Sequence, residues 1–505
     1  GVTVGSALQT GLRLLVDRPA DVLPVYLLGI GLTATVRVPL VVAIGAAGAL
    51  VVSDGRLETL VTELDSFLET TELNPEAMAG PPALPPGVEA AAADVFSPGV
   101  IALVGLGVVG ALGVGVIAGG LSMAVSLHGV YGALNGDDGV RAAIDGLAAD
   151  WSSFVGLSIL QTLGTVLGLV PIGIGLSLFG LSAAAGGVAT AVGVVLGGGL
   201  VLVTTLLLAF AGQSIVVDDV GLLGGVRRSG RLPITRPRAF VGYLLVAIAV
   251  FAVLSILGSV FSLLGISQLS GIVGPLLLLP FLDIVKFGLY ADRSEAVETV
   301  TTAADSRPHR SRLVAAGRNG VAAVGGFLRQ APLSVLFATA VFGAAAIVSF
   351  RVTTGFDATF PTPAEPGMVF GAVPIDTFVM LAANNWLVSA TAAYGGLALG
   401  VPTGADMLLN GALLGALYGV TESTAFLALV APHGLIELPA IVVAGGLGFH
   451  IAAVGLDVIT GRTSVVGLVD ALRLAYRVLL GLAVILILAA LIEAFLTPAI
   501  AAAIL

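Results

Sequence analysis

The residues best suited to chemistry in this chain lie in the segment 432–439. His433 and Glu437 place an imidazole and a carboxylate four positions apart at the start of an apolar segment. An ionisable side chain inside a membrane-spanning helix costs about 2.5–3.5 kcal/mol, so such a pair indicates a polar site whose partners lie elsewhere in the chain. The partners we expect are Asn384, Asn385, Glu422 and Glu493.

Two interpretations of His433 and Glu437 remain open. In the structural one, Gly434 ends a helix, Pro439 lies in the first turn of the next, and Glu437 occupies the positive end of that helix beside His433. In the functional one, His433 carries a proton or binds a ligand in a pocket that opens outward. Its carboxylate partners would be Glu422, Glu437 and Glu493.

Metal binding and catalysis have weaker support in the sequence. One histidine with several carboxylates could hold zinc or manganese, but a single nearby imidazole is a poor signal. The sequence contains no Ser-His-Asp order, no phosphate-binding glycine loop and no paired-histidine zinc motif. We therefore assign no catalytic residue, no metal and no cofactor from the sequence.

The composition places these residues in a membrane. Hydrophobic residues make up 57% of the 505 positions, charged residues 10%, and the mean hydropathy is +1.09. Uncharged runs of about 20 residues, enough to cross a bilayer as a helix, recur along the chain. We predict an all-α polytopic integral membrane protein with about eleven transmembrane helices. The predicted spans are 22–52, 99–134, 153–174, 187–212, 239–265, 270–290, 332–350, 385–402, 407–431, 435–457 and 478–497.

The basic residues predict how the chain is oriented and divided. Arginines concentrate before the fifth and after the sixth span, and positive residues favour the cytoplasmic side. The N-terminus is therefore expected in the cytoplasm, with the acidic loop 53–97 and the C-terminus outside. We divide the chain into a six-helix membrane domain (1–290), an arginine-rich cytoplasmic linker (291–330) and a five-helix membrane domain (331–505).

One arginine group should lie at the membrane surface. These residues are expected to contact lipid headgroups or a partner protein: Arg227, Arg228, Arg231, Arg236 and Arg238. Asp218 and Asp219, just before them, could cap a short interfacial helix. Lys286 is the only lysine among 21 basic residues, a bias typical of a salt-adapted organism such as a haloarchaeon.

Glycines and isolated charges within the spans predict internal contacts. Two stripes of glycines spaced by four are expected to pack helices closely: Gly396, Gly400 and Gly404, then Gly411, Gly415 and Gly419. Glu422 should share the face of the second stripe and point into the bundle. Asp283 and Lys286 can form an i,i+3 pair, whereas Arg37 must find a carboxylate, carbonyl groups or water in the fold.

Several of these motifs together resemble the stage II sporulation protein M family, from about residue 333 to the C-terminus. The residues that carry the resemblance are Asn410, Gly411, Pro432, His433, Gly434, Glu437, Glu493 and Pro498. It implies a five-helix membrane domain and a role as a membrane scaffold for cell-wall-degrading machinery. Residues 214–229 more weakly resemble the six-helix membrane domain found beside glycerophosphodiesterases.

Three functions follow as hypotheses. We favour a non-enzymatic scaffold or assembly factor of the plasma membrane and cell envelope, which contacts lipids, other membrane proteins or further copies of itself, and no nucleic acid. A transporter of a lipid, ion or small solute would need a polar path from Arg37 or His450 to the cluster around His433. An intramembrane hydrolase would need His433 as acid within hydrogen-bond reach of Glu437 or Glu493 as base.

Overall fold

The structure, a computed structural model, describes residues 4–70, 85–291, 308–356 and 374–504, which fold into helices joined by short turns. The all-α membrane class is confirmed. Within these ranges nine segments are long and apolar enough to cross a membrane. They are Pro19–Ser53, Pro98–Leu134, Gly139–Gly180, Ala183–Asp218, Pro237–Leu263, Ser267–Ala291, Pro332–Thr353, Ser423–Ile459 and Val465–Ile504.

The first half is built from thirteen helices among the described residues. They are α1 (Val4–Asp17), α2 (Pro19–Thr33), α3 (Arg37–Ser53), α4 (Arg56–Thr70), α5 (Pro86–Val95), α6 (Pro98–Leu134), α7 (Gly139–Ser177), α8 (Ala183–Leu208), α9 (Ala211–Asp218), α10 (Leu222–Thr235), α11 (Pro237–Leu263), α12 (Ser270–Val273) and α13 (Leu279–Ala291). The predicted acidic loop 53–97 contains α4 and α5, and residues 71–84 lie outside the described residues.

Close helix contacts in this half depend on glycine. A Cβ on Gly197 of α8 would lie 1.9 Å from the carbonyl oxygen of Gly168 in α7, so these two helices touch backbone to backbone. Asp138 begins α7 by accepting hydrogen bonds from the backbone N–H groups of Val140 and Arg141. α1 packs on α13, where a Cβ on Gly11 would lie 3.0 Å from the ring of Phe281.

The second half contains seven described helices. They are α14 (His309–Gln330), α15 (Pro332–Thr353), α16 (Ile375–Tyr394), α17 (Val401–Val420), α18 (Ser423–Ile459), α19 (Val465–Leu491) and α20 (Thr497–Ile504). α16 and α17 have 20 residues each but are not among the nine spanning segments, because their sequences are less apolar. The predicted spans 385–402 and 407–431 therefore have the wrong boundaries.

One predicted chain break is wrong. We expected one helix to end near Gly434 and another to begin there, but α18 continues through Pro432, Gly434 and Pro439. A proline removes one N–H donor without ending a helix whose neighbours hold it in place, as happens in membrane helices. The chain instead breaks at Thr421, whose backbone is extended at the end of α17.

Part of the predicted linker belongs to the helical bundle. α14 packs along α19 so closely that a Cβ on Gly320 would lie 2.5 Å from the backbone nitrogen of Gly481. Phe327 of α14 is completely buried. The rest of the linker, residues 292–307 with Arg293 and Arg307, lies outside the described residues.

The two halves of the chain share one hydrophobic core. Leu28 of α2 and Ala393 of α16 are fully buried in the same cluster. A Cβ on Gly31 of α2 would lie 2.3 Å from the carbonyl carbon of Tyr394, so the second half contacts the α2 backbone directly. This interface determines how the polar sites of the two halves are arranged.

Candidate functional site

Three of the predicted polar residues meet between α18 and the end of α19. His433 Nε2 lies 3.7 Å from Glu493 Oε1, and one ligand atom each of His433, Glu437 and Glu493 lie within 4.8 Å of one another. The side chains of His433 and Glu493 are only 12% and 17% exposed. We call these three residues the His-Glu-Glu cluster.

Two local features of the helices create the cluster. His433 and Glu437 are one helical turn apart on continuous α18, so they share a face. Glu493 lies in a π-helical segment, Ile492–Leu496, that widens the helix between α19 and α20. Single π turns within α-helices are frequent at functional sites, and this one directs Glu493 toward α18.

A fourth polar residue of the site was not predicted. Thr497 is fully buried, and its hydroxyl lies 3.4 Å from His433 Nδ1. The same hydroxyl donates to the carbonyl oxygen of Ile492, 3.2 Å away and five residues earlier in the chain. Thr497 follows Glu493 by four residues at the end of the predicted span 478–497, and this spacing is the signal that could have identified it.

Glu422 does not join the cluster, contrary to prediction. It is exposed at the start of α18, where its carboxylate accepts a hydrogen bond of 2.8 Å from the backbone N–H of Ala425. Donation from the backbone N–H groups of Thr424 and Ala425 lowers the pKa of Glu422. The expectation that it points into the bundle failed because α17 ends before it, which breaks the helical phase counted from Gly411.

The two asparagines bond to each other. Asn384 donates from its amide to Asn385 Oδ1 at 3.2 Å, and the amide nitrogen of Asn385 is buried without a hydrogen-bond partner among the described residues. Their helix, α16, also contacts the π-helical segment that carries Glu493. They neighbour the elements of the cluster without being part of its ligand group.

Comparison with known proteins gives an assignment for this half only. Residues 333–498 match the family model described as stage II sporulation protein M. They form a sporulation protein M domain. No curated protein and no solved structure matches the chain. The resemblance of the first half to a six-helix domain stays a prediction, and the protein as a whole is a multi-pass membrane protein with a sporulation protein M domain at 333–498.

Other polar residues of the sporulation protein M domain maintain its fold. Asn410 donates to the carbonyl oxygen of Asp406 at 2.8 Å, and Trp386 donates to that of Leu479 at 3.1 Å. His450 packs edge-on against Phe327, 5.9 Å between ring centroids. These groups make their contacts within the helical bundle.

The two predicted glycine stripes behave differently. Cβ atoms on Gly411 and Gly415 would lie 2.2 and 2.0 Å from carbonyl oxygens of α15, and one on Gly419 would lie 1.9 Å from the Thr353 hydroxyl. The prediction that Gly396, Gly400 and Gly404 form one packing stripe is wrong. Gly400 has a positive φ of 74° in the turn before α17, and a Cβ on Gly404 would meet no atom of the described residues within 4 Å. Gly396 does pack on α18, where a Cβ on Gly396 would lie 2.1 Å from the carbonyl oxygen of Gly448.

Arg37 finds its partner across the two halves. Its Nη1 lies 3.5 Å from Oδ1 of Asp406, whose side chain is 6% exposed in α17. Asp406 was not predicted, because nothing in the local sequence links α3 to α17. Arg312 and Asp17 form a second contact between the halves at 3.7 Å, and Arg473 pairs with Asp138 in a third.

A second polar site lies in the first half. Asp283 and Lys286 face each other at 4.0 Å, as their spacing predicted, and Asp283 also accepts a hydrogen bond of 2.8 Å from the Tyr26 hydroxyl. Lys286 lies 5.8 Å from the ring centroid of Phe210. Tyr26, Asp283 and Lys286 line a cavity of about 670 Å³. Hydroxyls also line it, from Thr33, Ser122, Ser126, Thr165, Thr204 and Thr205.

Gln213 is the unexpected residue of this cavity. It is 0% exposed, and neither its amide oxygen nor its amide nitrogen has a hydrogen-bond partner among the described residues. A glutamine within an apolar run, as in Phe210–Val217, is the signal that could have identified it.

The predicted surface arginines divide into two groups. Arg228 pairs with Asp218 at 2.6 Å, and Arg236 donates to the carbonyl oxygen of Tyr290 at 2.7 Å. Arg227, Arg231 and Arg238 are exposed, where headgroups or a partner could reach them. Asp218 and Asp219 do not cap α10 as expected, since Gly221 precedes it and Asp219 has a positive φ of 51° at the end of α9.

Proposed function

We propose that this protein is a non-enzymatic scaffold or assembly factor for membrane or cell-envelope complexes. The observation that carries the proposal is the interface between its two halves. Gly31 meets the backbone at Tyr394, and Arg37–Asp406 and Arg312–Asp17 join the halves on either side of that contact. A body held in this way offers its helix faces and loops in a constant arrangement.

The same interface argues against a mechanism with moving halves. Alternating access in many transporters requires one helical unit to rock against the other around a central site. Here the sporulation protein M domain and the first half share one core, with Leu28 and Ala393 buried in it. Rocking would have to separate the Gly31 backbone from Tyr394 and break ion pairs that are partly buried in an apolar region.

The geometry of the His-Glu-Glu cluster supports the non-enzymatic proposal. Acid–base catalysis works over hydrogen-bond distances of about 2.6–3.2 Å. The contact between His433 Nε2 and Glu493 Oε1 is longer, 3.7 Å, and the buried Oε2 of Glu437 has no hydrogen-bond partner among the described residues. With its side chains in these positions, the cluster has the spacing of groups that hold helices or a ligand, and not that of a proton-transferring hydrogen bond.

The absence of cysteine from the chain allows a direct test. Arg37→Cys and Asp406→Cys introduced together can be joined by a short bis-maleimide, which fixes the two halves. We expect the joined and unjoined proteins to migrate in native electrophoresis as the same complex, larger than one chain. Proximity labelling in native membranes should enrich the same neighbours for both forms.

The cysteine-free protein treated with the reagent is the matched control, together with an unrelated multi-pass protein for the labelling. The scaffold proposal is wrong if the native protein migrates as a single chain from both detergent and lipid nanodiscs and labels the same neighbours as the unrelated protein. It is also wrong if joining the halves disperses the complex.

A second candidate function, transport or binding of a lipid, ion or small solute, is favoured by the cavity around Asp283 and Lys286. All of its lining residues lie in the first half, so a ligand could enter without separating the halves. Its volume of about 670 Å³ falls in the range of small-molecule sites. Native mass spectrometry of purified protein should then detect a bound lipid or solute that Gln213→Leu loses and that Gln330→Leu, at an exposed position of α14 outside the cavity, retains.

A further inference from the structure

We propose that His433, Glu437 and Glu493 bind a divalent transition-metal cation, with Zn²⁺ and Mn²⁺ as the ions that fit the ligand set. The site goes beyond the scaffold role and does not depend on it. It would connect α18 to the π-helical segment after α19 through one ion.

The distances suit a shared ion. Zinc lies about 2.0–2.2 Å from histidine nitrogen and carboxylate oxygen, so two ligand atoms of a tetrahedral ion are about 3.3–3.6 Å apart. The three ligand atoms here lie within 4.8 Å of one another without an ion. Rotation of the three side chains that moves their ligand atoms by on the order of 1 Å closes that difference.

The charge of the cluster needs a positive partner. Two glutamates approach each other in apolar helices, where isolated carboxylates are expensive. No ion pair joins either Glu437 or Glu493 to an arginine or lysine among the described residues, and the cluster's basic member is His433 itself. A neutral imidazole that binds a dication would leave the site with no net charge.

Glu437 supplies a second, independent observation. Its Oε2 is buried and accepts no hydrogen bond from any described residue, which is costly for a carboxylate oxygen. Oxygens of this kind are usually satisfied by a hydrogen-bond donor or a cation. The orphaned oxygen belongs to the same side chain that completes the ligand group.

Neighbouring groups orient the ligands as in established metal sites. Metal-bound histidine generally donates its other ring N–H to an oxygen, which fixes the tautomer. Thr497 places a buried hydroxyl 3.4 Å from His433 Nδ1, leaving Nε2, the nitrogen nearer Glu493, for the ion. One nitrogen with two carboxylate oxygens suits Zn²⁺ or Mn²⁺ better than calcium, which prefers six or more oxygens.

The first test measures retained metal. The full chain, purified with EDTA in detergent or nanodiscs, is incubated with ZnCl₂ or MnCl₂, passed through gel filtration and analysed by mass spectrometry for the metals. We expect about one ion per chain for the native protein. Glu493→Gln should weaken binding at least tenfold, since loss of even an orienting residue commonly costs 10- to 100-fold.

Two matched variants serve as controls. Glu422→Gln removes an exposed carboxylate from the start of α18, and His450→Gln removes a histidine that packs on Phe327. Both should retain the native stoichiometry. If Glu493→Gln fails to fold, zinc X-ray absorption on the native protein still tests the site, because it should show one imidazole and oxygen ligands at about 2.0–2.2 Å.

Several outcomes would overturn the site. The native protein could retain no more metal than Glu493→Gln, or absorption could show a ligand set without imidazole. Thermal unfolding that is the same in EDTA and in ZnCl₂ would mean that the two carboxylates carry protons in place of an ion.

Discussion

The cavity of the first half and the His-Glu-Glu cluster of the second differ in how the charge of their buried carboxylates is compensated. At the cavity, Asp283 has a lysine partner 4.0 Å away and a tyrosine hydroxyl at 2.8 Å, so its charge is compensated by the chain. At the cluster, Glu437 and Glu493 approach each other, and His433 is their only basic neighbour among the described residues. The charge of Asp283 is thus compensated by residues of the chain, whereas the charges of Glu437 and Glu493 need a proton or a cation from outside it.

The largest loss of unfolding free energy should come from removing the lysine of the Asp283–Lys286 pair in the cavity. Lys286→Met leaves Asp283 without its cation, and removal of one member of a buried pair costs about 3–5 kcal/mol. The double variant Asp283→Leu with Lys286→Met should recover most of that loss of unfolding free energy, measured by thermal unfolding in nanodiscs. Equal losses in the single and double variants would mean that the pair is not a unit, and Arg227→Met at the surface is the control.

At the His-Glu-Glu cluster, a substitution should make the protein more stable than the native chain when no metal is present. In EDTA, Glu437→Gln removes one of two neighbouring carboxylates and should raise the unfolding free energy by on the order of 1–3 kcal/mol. In ZnCl₂ the native protein should instead be more stable than Glu437→Gln, because only the native protein keeps all three ligands. A variant that is less stable than the native protein in EDTA would contradict the charge argument, and Glu58→Gln on exposed α4 controls for lost charge.

The cavity can be examined further through Gln213. Because its buried amide has no described hydrogen-bond partner, Gln213→Leu should raise the unfolding free energy by about 1–2 kcal/mol in protein purified free of ligand. Gln161→Leu, a partly exposed residue of the same cavity, should change it little. A loss of stability in Gln213→Leu would show that the amide is already satisfied.

The smallest effect concerns Glu422, outside both sites. Backbone donors lower the pKa of Glu422 in the fold from its ordinary value of 4.5. Its carboxylate therefore stabilises the start of α18 at pH values above that ordinary pKa. That contribution is lost as the pH falls through the lowered pKa. The native protein should therefore melt slightly above Glu422→Gln at pH 7 and lose this advantage below about pH 4. A difference that is unchanged by acid would contradict the capping role.

Sequence reasoning succeeded where function follows from local spacing. The i,i+3 spacing of Asp283 and Lys286 and the four-residue period of Gly411, Gly415 and Gly419 predicted contacts that the structure contains. It failed for Glu422 and Gly404 because both predictions carried one helical phase across a break in the chain. Topology and the roles of the polar residues stay predictions.

The sequence by itself determined that this is a multi-pass helical membrane protein with a sporulation protein M domain at 333–498, because long apolar runs and local motifs do not depend on distant contacts. Only the tertiary structure decided that Arg37 meets Asp406, that Thr497 faces His433, and that the two halves share a core. Those contacts join residues dozens to hundreds of positions apart, and only the packing of whole helices, here set by glycine contacts and a π turn, brings such residues together.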